Sequence, residues 1–67
     1  MTSNLVDLPV SPYLTESQAA ARLGFSPKTL RNWRARSEGP NFLRLGSSVR
    51  YHVETLDRWA MAQEVAA

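Results

Sequence analysis

Cysteine is absent from this chain, which excludes a disulfide framework and a thiolate zinc site and leaves the hydrophobic core as the source of stability. Histidine occurs once, at His52, with no second imidazole for a metal and no serine or cysteine constellation around it; a capping or solvent-facing role is expected. No stretch approaches the roughly 18 apolar residues that a membrane helix needs. The opening MTSNLVDLPVSP also lacks a basic start followed by an apolar core, so neither membrane spanning nor secretion is expected, and the reading is a soluble, cytoplasmic protein. The chain of 67 residues suffices for one small domain with a thin core, into which a large enclosed active site does not fit. Glu54 and Asp57 share a helix face but sit where negative charge favours a helix start, so no enzyme, cofactor or metal site is expected.

Acidic residues are scarce in one place. Between Ser26 and His52 only Glu38 is acidic, whereas six of the eight basic residues fall there: Lys28, Arg31, Arg34, Arg36, Arg44 and Arg50. The net charge of +2 is a weak argument for a polyanionic partner, but a surface field depends on how charge is distributed as well as on its sum.

Residues 1–12, with Pro9 and Pro12 and no helical periodicity, read as a mobile arm. Thr15 and Gln18 have capping-box spacing, and Gly24 follows the last apolar residue of the helix they start. Ser26 suits an N-cap and Pro27 the first helical position, so Thr15 to about Ser37 reads as helix, tight turn, helix. Leu30 and Trp33 mark the inner face of the second helix; Lys28, Arg31, Asn32 and Ala35 fall opposite, flanked by Arg34 and Arg36. Glu38-Gly39-Pro40 ends it.

Phe42–Leu45 and Val49–His52 read as short strands around a three-residue loop, Gly46-Ser47-Ser48. With Leu45 facing Val49, Arg44 faces Arg50, an unfavourable pair that a nearby anion would relieve. Val53, Leu56, Trp59 and Ala60 predict a third helix to about Gln63, leaving 64–67 as a frayed tail. The expected fold is mainly α: a winged helix-turn-helix over 13–63, three helices with a two-stranded β wing. Trp33, Trp59, Tyr51, Phe42 and Phe25 read as core, and Arg22 and Arg58 as solvated or paired residues outside the site.

Such an arrangement can touch DNA in two places. A helix fits the major groove, and Arg31 and Asn32 are the residue types that make bidentate contacts to guanine and adenine edges. Lys28, Arg34 and Arg36 suit phosphates, as do Ser26 and Thr29 with the free N–H groups of the helix start. Arg44 and Arg50 supply charge on the wing, and the Ser47 and Ser48 hydroxyls supply hydrogen bonds. Against this stand a solvated helix face for Arg31, Arg34 and Arg36, and pairing of Arg44 or Arg50 with Glu38 or Glu54.

The strings SPKTLRNW, GPNFLRLG, VRYH and LDRW, in that order between Tyr13 and Trp59, resemble the excisionase-type winged-helix family, related to the MerR-type DNA-binding domain. The resemblance implies a recognition helix from Pro27, with Lys28, Thr29, Arg31 and Asn32 facing the major groove and Arg44 and Arg50 at basic wing positions. It implies an excision factor that bends attachment-site DNA for a partner integrase or recombinase, with further copies on adjacent sites, in a bacterial or phage-infected cell. A small phage or mobile-element transcription regulator could use the same surface. A protein-interaction adaptor with a basic face is the alternative from another class. Many relatives are more basic at the wing tip than Ser47-Ser48, so a weaker contribution is expected there, and no motif here matches the family's oligomerisation or integrase-contact surface.

Overall fold

The structure, a computed structural model, describes residues 11–65; residues 1–10 of the arm expected over 1–12 and 66–67 of the tail expected over 64–67 lie outside the described residues. Helix α1 spans Glu16–Leu23. The Thr15 hydroxyl accepts the Gln18 N–H at 3.1 Å and the Gln18 carboxamide accepts the Thr15 N–H at 2.9 Å, so two otherwise unpaired donors are satisfied reciprocally. Gly24 closes the helix in the left-handed region at φ 80°, and the Phe25 N–H reaches back to the Ala20 carbonyl at 2.8 Å.

Helix α2, Pro27–Ala35, follows at once, with Ser26 accepting the Thr29 N–H at 3.3 Å. It stops before the expected Ser37. The chain turns back when Ser37 takes φ 57° and the Glu38 N–H bonds the Trp33 carbonyl at 2.7 Å, so the break begins ahead of Gly39-Pro40. Helix α3 is Val53–Ala62. His52 caps it, its Nδ1 accepting the Glu54 N–H at 3.2 Å while its ring meets Tyr13 edge-on at 5.3 Å between centroids.

The wing consists of β2, Leu43–Leu45, and β3, Ser48–His52. A further strand that the sequence reading did not anticipate, β1 at Tyr13–Leu14, pairs antiparallel with the other edge of β3, giving the order β1-β3-β2. The register also corrects the expected one: Leu43 pairs with Arg50, Arg44 with Val49, and Leu45 with Ser48, leaving a two-residue loop, Gly46-Ser47. Directly paired residues share a face and neighbours along a strand alternate, so Arg44 and Arg50 project from opposite faces of the ribbon. The anticipated like-charge pair does not form, and no anion is needed to relieve it.

Ala19 and Ala20 of α1, Leu30 of α2, Tyr51 of β3 and Leu56 of α3 form the buried core, edged by Leu14, Leu23, Trp33 and Val49. The two alanines let the other elements approach α1 closely, and burying a leucine such as Leu30 contributes about 1.5–3 kcal/mol. Trp33 packs on Trp59 at 5.5 Å between centroids, consistent with their apolar stripes. Phe25 and Phe42, read from sequence as core, are instead 49% and 36% exposed: Phe25 lies edge-on to Trp33 at 5.2 Å and Phe42 beside Tyr51 at 6.2 Å, both at the rim.

Candidate nucleic-acid interface

Leu30 and Trp33 anchor α2 inward, which turns Lys28, Arg31, Asn32, Ala35 and Arg36 to solvent. The start of the helix is already occupied in part. Ser26 Oγ, besides capping Thr29, lies 3.0 Å from the Thr29 hydroxyl, so both expected hydroxyls hold each other as well as the backbone. Ser47 is exposed in the loop and Ser48 half-buried at the start of β3.

The basic residues divide into two groups. Among the described residues, Lys28, Arg44 and Arg50, and Arg58 on α3 outside the site, have no carboxylate partner; Arg50 donates to the adjacent Val49 carbonyl at 2.8 Å. The others are paired. Arg36 meets Glu38 at 3.4 Å with both side chains exposed, an arrangement worth little to stability. Arg22 makes two bonds to Asp57, at 2.7 and 2.8 Å, and so ties α1 to α3.

Glu16, in the first turn of α1, receives two arginines of α2. Its Oε1 accepts from Arg31 Nη2 at 2.8 Å and its Oε2 lies 2.9 Å from Arg34 Nη1. The scarcity of acid between Ser26 and His52 concealed this pairing, because the partner lies 15 residues upstream of Arg31. Arg34 also donates to the Tyr51 hydroxyl at 3.0 Å, and its side chain is only 17% exposed. Burial disfavours the Arg34 charge, but the bonds to Tyr51 and Glu16 outweigh it and hold the guanidinium protonated. Arg34 therefore faces into the protein, where the sequence reading expected a residue free for phosphate.

The Phe42 ring connects helix to wing. The Arg34 and Arg44 guanidiniums lie 5.6 and 5.8 Å from its centroid, so Arg44 projects from the ribbon face that looks toward α2, while Arg50 projects from the other.

The Arg31 hydrogen bond, helped by Arg34 and opposed by desolvation, lowers the Glu16 pKa below its ordinary 4.5, and the Arg22 hydrogen bond lowers that of Asp57 below 3.8. A carboxylate depressed in the folded state contributes stability that is present above its unfolded pKa and lost as the pH falls through the folded one. Glu16→Gln is thus expected to lower the Tm at neutral pH and to flatten the decline in Tm below pH 4.5. Thermal melts at stepped pH check this; an acid limb identical to that of the parent protein would show that Glu16 gains nothing from its arginines.

Two helices joined by a tight turn, followed by an antiparallel ribbon and backed by a third helix, define a winged helix-turn-helix fold. A family model described as helix-turn-helix domain matches residues 13–64, most of the chain, which therefore belongs to that family, a DNA-binding family that includes excisionase-like proteins. Membership supports binding to double-stranded DNA, and the family is typically non-enzymatic. No curated protein matches the chain. Among the described residues, no helix is long and apolar enough to cross a membrane, and no three His, Cys, Asp or Glu side chains gather where they could hold a metal.

Proposed function

We propose that this protein is a sequence-specific DNA-binding excision factor, which binds and bends attachment-site DNA and directs a partner recombinase toward excision. The observation that carries the DNA-contact reading is the outward face of α2: Lys28, Arg31 and Asn32 stand exposed on a helix anchored from behind by Leu30. In this reading α2 enters the major groove, Arg31 reads a guanine edge and Asn32 an adenine edge, and Lys28 and Arg36 hold phosphates. The wing touches the neighbouring backbone, with Arg44 and Arg50 on its two faces reaching different phosphates. The excision role is supported by the resemblance of the SPKTLRNW, GPNFLRLG, VRYH and LDRW strings. Bending costs on the order of 1–6 kcal/mol, which favours several copies acting together on adjacent sites.

Selection of bound duplexes from a random pool at near-physiological salt tests this. Enrichment of direct repeats about 10–10.5 bp apart is expected for adjacent copies of an excision factor, and a palindrome for a dimeric regulator. Arg31→Ala is expected to weaken the selected site by about 1–3 kcal/mol and to relax preference at one base pair. Binding without enrichment that vanishes as salt rises would leave a nonspecific binder, and no duplex binding would leave an adaptor.

A further inference from the structure

The Tyr51 hydroxyl, Arg34, Glu16 and Arg31 form an unbroken chain from the core to the exposed face of α2. Tyr51 is 1% exposed; its hydroxyl accepts from Arg34 at 3.0 Å, Arg34 pairs with Glu16 at 2.9 Å, and Glu16 accepts from Arg31 at 2.8 Å. Exposure rises along the chain: the side chains of Arg34, Glu16 and Arg31 are 17%, 20% and 62% exposed. Each inner member fixes the next. Glu16 uses a different carboxylate oxygen for each arginine, so Arg34 can hold the carboxylate still while the second oxygen stays on Arg31.

We propose that Glu16 is a positioning residue for DNA sequence readout: tethered through Arg34 to Tyr51, it orients the Arg31 guanidinium for a base edge. The inference rests on the reading of Arg31 as a base contact. Arg31 commits one amino group to Glu16 and keeps its other nitrogens for DNA. The Arg31 end of the pair is exposed, so beside the more buried Arg34 contact this bond adds little to stability, and its consequence lies in orientation. A long side chain held before binding loses less freedom on binding, and the gain falls on the sequence whose base edge matches the held direction. Glu16 is separate from the DNA-contacting residues and lies on α1, outside the recognition helix.

The test is the ratio of Kd for an unrelated duplex to Kd for the selected one, measured for the full chain and for Glu16→Gln, Arg31→Ala and the double variant. Partial unfolding scales both affinities by the same folded fraction and leaves the ratio unchanged, so the ratio separates positioning from stability. Glu16→Gln is expected to lower the ratio roughly tenfold, the scale of one weakened bidentate base contact. In the double variant the ratio should fall no further than in Arg31→Ala. Tyr51→Phe, which keeps the buried ring and removes only the hydroxyl, should lower the ratio in the same direction and by less. An unchanged ratio in Glu16→Gln overturns the proposal, and so does tighter binding to all duplexes with a steeper salt slope, which would make Glu16 a competitor of phosphate. If Arg31→Ala itself leaves the ratio intact, the base-contact reading fails, and the positioning role fails with it.

Discussion

Gly39→Ala is expected to lose about 2–5 kcal/mol, a left-handed backbone cost of roughly 1–2 kcal/mol plus overpacking of roughly 1–3 kcal/mol. Gly39 sits at φ 81°, and a Cβ built there would lie 2.9 Å from both Cβ and Cε3 of Trp33. The neighbour has little room to yield, because Trp33 also packs on Trp59 and Phe25. The loss is large for this chain, since stabilities near 0.05–0.15 kcal/mol per residue leave a domain of this size only several kcal/mol in all. Gly24→Ala is the control: its φ of 80° is the same, but nothing lies within 4 Å of the added Cβ, so only the backbone cost of about 1–2 kcal/mol applies. Urea unfolding of the three proteins measures both effects. Equal losses at the two glycines would mean that the Trp33 contact does not constrain the turn leading into the wing.

The second large effect concerns DNA. The triple variant Lys28→Ala, Arg44→Ala, Arg50→Ala removes the three cations of α2 and the wing that have no carboxylate partner among the described residues. With three phosphates released at about 0.9 counterions each, the slope of log K against log salt should flatten by about 2.7 and affinity near physiological salt should fall about a hundredfold. These contacts are indifferent to base identity, so the loss should be alike for selected and unrelated duplexes. Arg34→Gln is expected to behave differently. Arg34 is occupied by Glu16 and Tyr51, so its removal should lower the Tm and leave the slope nearly unchanged. A slope that drops by a full contact in Arg34→Gln would place that arginine on DNA after all.

Both predictions depend on which parts of the molecule are local. The capping box of Thr15 and Gln18, the Gly24 stop and the Ser26-Pro27 start each involve residues within a few positions of one another, and the structure shows all three. The outward placement of Lys28, Arg31 and Asn32 follows from the same local logic, because helical periodicity turns them away once Leu30 and Trp33 face inward. His52 could be read as a cap because its position before Val53 already offers a nitrogen to the first turn of the helix.

What the sequence determined by itself is therefore the set of helices, their starts, the presence of the ribbon and the face of α2 turned to solvent. These depend on hydrogen bonds and periodicities closed within about one turn or one hairpin. Tertiary structure alone decided the register that puts Arg44 and Arg50 on opposite faces, since a one-residue slip leaves the strands equally plausible locally and reverses every side chain. It decided β1 as well, because a two-residue strand has no periodicity to read and exists through pairing with β3. It also decided the fate of Arg34. A carboxylate on α1 and a hydroxyl on β3 meet that guanidinium only after the helices and sheet have packed around Leu30, and no spacing within α2 encodes the meeting.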